Sequence, residues 1–426
     1  MSPSESASVF ALVDANAFYC SAEQVFRPDW RGKPVIVLSN NDGCVVAANR
    51  QAKEAGIEKF KPYFQVRARC EAAGVIVCSS NYELYGDLSE RMMQVIGRFA
   101  PEQHVYSIDE SFLSFHRCIA VPDLREQGQA LRQAVWKECR LAVGVGMGQT
   151  LTLAKAANHA AKKIAGYKGV CVLDSETARI EVLSHMEAGD VWGVGRKIAA
   201  RLKFQGVNTA LQLSKMPPGL ARKEFNVEME RTVRELNGEV CKGWDVARAD
   251  KKQIFSTRSM GERIQDEESL CQALCKHAGI AAAKMRAQGS LCSVLMVFAG
   301  NSPFDEKPKS FKQMVHFAFP ADDTAVITSA VAAMVPRLFQ EGVRYYKVGV
   351  GLLDLVNAKH VQPDLFNTQP GNPALMQAFD GLNQRYGTGA VFMAAQGIDP
   401  KWGMRREFLS PQYTTRWGDV PVVRCL

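Results

Sequence analysis

Three carboxylates in two short segments are the residues of this chain best suited to chemistry. The segment Val13-Asp14-Ala15-Asn16-Ala17-Phe18-Tyr19 follows the apolar run Val9-Phe10-Ala11-Leu12; Tyr106-Ser107-Ile108-Asp109-Glu110-Ser111-Phe112-Leu113 lies much further along. Each alternates β-branched, aromatic and apolar residues, which predicts a strand with its acids at one end or on one face. Three carboxylates on adjacent strands would fix a dense negative charge in one place. A pair of hard divalent cations relieves such repulsion, and magnesium in particular prefers oxygen ligands and keeps open positions for substrate phosphates. Taken singly, either segment also reads as a half-buried strand whose acids face water.

The elements that must position these acids follow from periodicity. A strand at 10–14 leads into a helical stretch at 17–25. A turn at 31–34, a strand at 35–38 and a mostly helical segment at 45–54 come next. An apolar run at 75–78 precedes a helix at 82–99 with Arg91 and Arg98 on its polar side. The acidic strand at 105–113 is followed by a helix at 122–139, a run at 141–147 and a helix at 150–164. Strands interleaved with helices in this way predict a small α/β layer with helices behind its sheet. Gly144 to Gly148 carries alternating glycines without a dinucleotide-binding context, so it reads as a close strand–helix turn.

From about 170 the pattern changes to short helices. Residues 191–202 read as a helix-hairpin-helix whose Gly193-Val-Gly195 turn would let backbone N–H groups approach a phosphate, with Arg196, Lys197 and Arg201 alongside. Such a contact carries no sequence information, and glycine-hinged helix pairs also serve as structural joints. Within 241–356 a helix at 266–288, strands at 291–298 and 311–319, a helix at 322–340 and a strand at 345–353 give a β-α-β-β-α-β order, with the segment from Ser256 supplying the first strand. Beyond Asp354 few strands are expected, and 357–426 reads as a tail.

A chain of 426 residues exceeds one ordinary domain, so several are expected. Its 47% hydrophobic and 23% charged content is that of a soluble globular protein. The net charge of +8 and pI ≈ 8.8 suit a polyanionic partner without requiring one. None of the twelve cysteines forms a Cys-x-x-Cys pair; Cys271 and Cys275 share a helical stretch and read as core-facing thiols. The histidines are scattered. No apolar run is long enough to span a bilayer, and the first residues lack the features of an export signal. Reduced cysteines and a cytoplasmic location are expected.

The run Asp14-Ala-Asn-Ala-Phe-Tyr-Cys-Ser-Ala-Glu23, followed by Ser107-Ile-Asp-Glu-Ser111, resembles the Y-family of translesion DNA polymerases, and within it the UmuC type. The likeness covers essentially the whole chain. Asn40-Asn-Asp42-Gly-Cys44-Val and Leu409-Ser-Pro-Gln-Tyr-Thr-Thr-Arg-Trp417 resemble the UmuC subgroup specifically. The resemblance implies a multidomain α/β, right-hand polymerase: a palm at 1–23 and 76–168, small fingers at 24–75, a helical thumb with the helix-hairpin-helix at 169–240, a split α/β little finger at 241–356, and a C-terminal partner-binding tail at 357–426. It implies error-prone, template-directed synthesis across damaged DNA in the SOS response.

The site residues that the resemblance implies follow the same motifs. Asp14, Asp109 and Glu110 would hold two Mg2+ ions, with Asp14 and Asp109 bridging both. Glu110 would sit on the primer-side ion, and the Ala15 carbonyl would complete the second site. Phe18 and Tyr19 would meet the nucleotide, Tyr19 as a ring that clashes with a ribose 2′-hydroxyl. Arg50 and Lys53 in Ala48-Asn-Arg50-Gln-Ala-Lys53 would touch the triphosphate, although many relatives carry tyrosine where Arg50 stands. Lys162 matches the family's phosphate-binding lysine, and Lys163 could substitute for it. Gly193, Gly195, Arg196 and Lys197 would contact DNA. Gln362-Pro-Asp-Leu365-Phe366 resembles a clamp-docking peptide, in which two apolar anchors and an amide enter a hydrophobic pocket. Implied partners are primer-template DNA, dNTP, the sliding clamp, a processed UmuD-type dimer and RecA. Two other readings fit an acidic palm: a nucleotide cyclase, against which the hairpin and clamp-like peptide speak, and a non-catalytic adaptor, which has no chemical need for three adjacent acids.

Overall fold

The computed structural model describes residues 9–116, 118, 123–244, 250–360, 371–398 and 402–422. They fall into two compact units. One holds the described residues up to Ser39, those from Gly43 to Trp244 and those from Phe408 onward; the other holds Asn40–Asp42 and those from Asp250 to Glu407.

The first unit begins with β1 (Phe10–Ala15), whose Ala-Leu-Val centre is buried. The chain then turns sharply into α1 (Phe18–Val25) through Ala17, which holds a left-handed φ of 44°. A short sheet follows from β2 (Val35–Leu38) and β3 (Val45–Ala48), then α2 (Arg50–Glu54), α3 (Tyr63–Ala72) and β4 (Ile76–Ser79). Its order is β3-β2-β4, with β2 and β4 parallel. The expectation of helix across 45–54 is corrected here. Val45-Val-Ala-Ala48 pairs with fully buried β2, because β-branched residues pack well on a pleated surface. Asn49 then starts the helix by accepting the Ala52 N–H at 2.9 Å.

The main sheet is completed after α4 (Tyr82–Gly97) by β5 (Glu102–Val105) and β6 (Glu110–Ser114), and after α5 (Leu124–Cys139) by β7 (Val143–Gly148), α6 (Leu151–Lys163) and β8 (Val170–Val172). Its order is β5-β6-β1-β7-β8, so the two acidic segments lie side by side. The single strand expected at 105–113 is in fact two, interrupted at 106–109. Ser107 Oγ accepts the Asp109 and Glu110 N–H groups at 3.3 and 3.1 Å, a local bond that competes with strand pairing. The glycines of 144–148 form no turn either; all lie in β7. A Cβ on Gly146 would stand 2.0 Å from the Asn158 nitrogen and 2.4 Å from the Ala154 carbonyl, so the missing side chain lets α6 lie directly on the strand.

Five helices then pack around a separate apolar core that includes Leu183, Leu202, Leu213 and Val233: α7 (Glu176–His185), α8 (Arg196–Phe204), α9 (Ala210–Ser214), α10 (Pro218–Glu224) and α11 (Val227–Leu236). In the expected helix-hairpin-helix only the second element is an α-helix. A single 3-10 turn at Ala188–Asp190 precedes it, and Gly193 takes the positive φ of 91° that reverses the chain.

The second unit runs β9 (Ile254–Ile264), α12 (Glu267–Ala287), β10 (Ser290–Gly300), β11 (Ser310–Ala321), α13 (Thr324–Leu338) and β12 (Tyr345–Asn357). This is the β-α-β-β-α-β order read from the sequence, closed into an antiparallel sheet β11-β10-β12-β9. Leu274, Ala278, Val331 and Val335 from the helices cover one face. Cys275 is buried, as expected, but Cys271 is only half-buried. The segment read as a tail is built into both units. In the second, α14 (Pro373–Tyr386) is tied down where Asp380 accepts two bonds from the buried Arg286 guanidinium, both at 2.7 Å.

Candidate active site

The site grows from the end of β1. Its antiparallel pairing with β6 sets Asp14 directly opposite Glu110. Residues opposed in this way project from one face of a sheet, with Cβ atoms about 4.5–5.5 Å apart. Asp109 precedes Glu110 in the turn, and the Ala15 N–H donates to the Asp109 carbonyl at 2.9 Å, which stitches that turn to the strand end. The three acids therefore occupy one end of the main sheet.

Each acid has its own partner. Lys162 Nζ lies 2.6 Å from Asp14 Oδ1, and Lys155 Nζ lies 2.8 Å from Glu110 Oε1. The Ser107 hydroxyl donates to Asp109 Oδ1 at 2.6 Å. Among the described residues no three acidic, His or Cys side chains are already drawn together around one metal-sized point. The expected cage is thus not closed in this conformation, because partly buried carboxylates recruit the nearest ammonium groups. The donor set still fits a hard cation, because three carboxylates meet at this strand end; His159 lines a smaller cleft that Asp14 and Glu110 also border, together with Lys155 and Lys162. Burial raises the Asp14 pKa above its ordinary 3.8, Lys162 works against that rise, and Glu110 and Asp109 add to it.

A cleft of about 1020 Å³ opens beside the acids. Asp14, Ala15 and Asp109 line it, and Arg50, Lys53, Lys59, Arg132, Lys162 and Lys163 give its walls a cationic excess. Such a cleft suits a polyanion that approaches the acids with its own counter-ions. Tyr19 also lines it. Its ring stacks on Tyr85 with centroids 4.7 Å apart and meets Tyr82 edge-on at 6.1 Å. Phe18 borders the same cleft but is only 3% exposed, so it serves chiefly as the packed base of the turn. Arg50 is 85% exposed and pairs with Glu54 at 2.7 Å. The 193–197 hairpin lies outside this cleft, with Gly195 at the N-cap of α8. Gln362, Leu365 and Phe366 fall outside the described residues.

Sequence reasoning missed Lys155, Lys59 and Arg132. Lys155 stands seven residues before Lys162 on α6, two helical turns, so the two cations share a face. That spacing was a legible signal. The ammonium of Lys155 also sits over the rings of Tyr106, Trp192 and Phe112, at 4.6, 5.3 and 5.8 Å. Lys59 and Arg132 reach the cleft from distant segments and gave no local signal.

Comparison with known proteins settles the kinship. A model of the impB/mucB/samB family matches residues 13–159, and the model of that family's C-terminal domain matches 251–365. Protein UmuC of Salmonella typhimurium is 42% identical over 418 residues, covering 97% of this chain and 99% of its own length. The chain belongs to the impB/mucB/samB family. Protein SamB of Salmonella typhimurium is also 42% identical, over 98% of this chain and all of its own length. DNA polymerase IV of Moorella thermoacetica is 27% identical over 90% of this chain and 94% of its own. Among solved structures, a Y-family DNA polymerase chimera of Dbh and Dpo4 overlays with a TM-score of 0.63 at 19% identity, covering 82% of this chain and 99% of that one. A further model, described as a domain of unknown function, matches residues 373–423. As a UmuC-type Y-family member the chain is a DNA-directed DNA polymerase of translesion synthesis in the SOS response, and membership implies use of a divalent metal. Among the described residues no helix is long and apolar enough to cross a membrane.

Proposed function

We propose that Asp14, Asp109 and Glu110, with the Ala15 carbonyl, hold two magnesium ions for deoxynucleotidyl transfer. The observation that carries this reading is the register of Asp14 against Glu110, with Asp14 and Asp109 lining a cleft whose charged walls are mostly cationic. When bound, such ions lower the pKa of a primer 3′-hydroxyl and neutralise charge on the departing pyrophosphate. The protein's own groups supply position and charge, which is most of what phosphoryl transfer requires. Lys162 exchanges its Asp14 partner for a triphosphate oxygen, and Lys155 likewise releases Glu110. Lys53 and Arg50 meet the outer phosphates from α2. Tyr19 closes the space beside the sugar.

The same reading divides the chain into palm (1–23 and 76–168), fingers (24–75), thumb (169–240) and little finger (241–356). The short fingers leave an open site, so little surface tests base-pair shape and accuracy is low. Gly193, Gly195, Arg196 and Lys197 take DNA phosphates through backbone N–H groups and charge. Gln362, Leu365 and Phe366 dock on the sliding clamp, and the C-terminal region serves a processed UmuD-type dimer and RecA in the cytoplasm.

Primer extension on undamaged and abasic templates, with partner and RecA added stepwise, tests the reading. Wild-type chain should extend both templates, and Asp109→Ala should extend neither. Equal extension by the variant would remove the assigned chemistry.

A further inference from the structure

The C-terminal segment 408–413 is built into the first unit. Phe408 and Ser79 exchange two bonds of 2.9 Å, Phe408 N–H to the serine hydroxyl and Ser79 N–H to the Phe408 carbonyl. This lengthens the edge at the end of β4. The Phe408 ring meets Tyr63 edge-on at 5.8 Å, and Tyr413 stacks on Phe26 at 4.7 Å. Asn81, which is fully buried and caps α4, donates through its amide to Ser410 Oγ at 2.9 Å and to the Ser410 and Pro411 carbonyls at 3.1 and 3.2 Å. These contacts fix where the Ser410 hydroxyl points.

It points at a buried carboxylate. Glu23 is 0% exposed; its Oε1 accepts from Ser410 Oγ at 3.0 Å and from the Tyr85 hydroxyl at 2.6 Å. Its Oε2 has no partner among the described residues. Two hydroxyls are thus the hydrogen bonds that settle this carboxyl group, and an under-satisfied buried acid is costly to disturb. Tyr85 carries the constraint onward, since its ring lies nearly parallel to that of Tyr19, at an interplanar angle of 19°. Glu23 and Tyr19 also stand four residues apart on α1, one turn of the same face.

We infer that Ser410 is a positioning residue for nucleotide selection. Through Glu23 and Tyr85 it sets the orientation of the Tyr19 ring, so the polymerase's sugar discrimination depends on a segment that follows the second unit in the chain. This gives a role to part of a region whose matching family model is described as a domain of unknown function. The inference rests on the reading of Tyr19 as the ring that excludes a 2′-hydroxyl. A hydrogen-bonded network of this kind transmits orientation because breaking either bond to Glu23 Oε1 takes a partner from an already under-satisfied buried acid. Packing alone would make a different prediction: loss of Ser410 would lower stability and leave sugar choice untouched.

Single-nucleotide insertion by the full-length chain, with dNTP and rNTP at matched template positions, distinguishes the two. Melting temperature is recorded for every variant. Ser410→Ala and Tyr85→Phe should each raise the ribo-to-deoxy ratio of kcat/KM about fivefold, mainly through the KM of the two nucleotides. Ser410→Thr, which keeps the hydroxyl, should restore the wild-type ratio. Tyr19→Ala is the reference and should give the larger change. If Tyr19→Ala relaxes discrimination while Ser410→Ala and Tyr85→Phe do not, the positioning role is wrong and the sugar-gate reading stands. If Tyr19→Ala leaves the ratio unchanged, both fall together.

Discussion

The two large sheets treat their polar groups in opposite ways. The main sheet of the first unit is covered on both faces around β1 and β7, and its charges concentrate at one end, where Asp14 and Glu110 each hold a lysine. The sheet of the second unit is covered on one face only; β11 alternates exposed and half-buried residues along its length. Its buried side is apolar except for a few groups such as His277, whose Nδ1 lies 2.8 Å from Ser256 Oγ. The lesson concerns placement. In the first unit a single misplaced atom removes a ligand or a contact, whereas in the second an open face spreads its interactions over many weak ones.

The largest effect should come at the acid end. Asp109→Asn keeps shape and removes one carboxylate charge, so primer extension should fall on the order of a thousandfold or more, with little change in melting temperature. Gly146 tests the packing that positions the acids. Gly146→Val would drive side-chain carbons into the α6 backbone and should cost at least ~3 kcal/mol by chemical denaturation. An unchanged denaturation midpoint would mean that α6 does not rest on β7.

The second unit should instead be sensitive to acid. Burial, then Arg258, Lys276 and Lys284, push the His277 pKa from its ordinary 6.5 down to about 4. A depressed histidine must stay neutral in the folded state, so its contribution is complete above the unfolded pKa. It is lost as pH falls from about 6.5 toward about 4, a total of roughly 3 kcal/mol. Acid titration of stability followed in His277→Leu should lose that slope.

Smaller shifts sharpen the contrast. Tyr19→Ala should raise ribonucleotide insertion relative to deoxyribonucleotide about tenfold. Lys312→Ala, on the exposed side of β11, should alter stability by less than ~0.5 kcal/mol. A larger loss would show that Lys312 makes contacts that hold the unit together.

Much of this was legible in the sequence because periodicity and motif agree locally. The split module emerged element by element, since its strands are β-branched and its helices long. The acids were legible by type, and Lys162 by its neighbours. The interruption at 106–109 was not, because a serine hydroxyl bonding two backbone N–H groups leaves the alternating pattern intact. Val45 to Ala48 misled for a related reason: two alanines carry no period, and pairing with β2 decides their fate. The Ser410–Glu23 bond joins positions 387 residues apart, which no local pattern encodes. Likewise the lysines themselves could be read from the chain, but which acid each one pairs with depends on where α6 lands.

Titration of the full chain with Mn2+ in the presence of primer-template and dNTP, followed by electron paramagnetic resonance, probes the acid end without relying on turnover. Two bound ions are expected for the wild type, with Asp109→Asn and Asp14→Asn each losing at least one or binding it far more weakly. Identical stoichiometry and affinity in all three proteins would contradict the assignment of these carboxylates as the metal-holding groups.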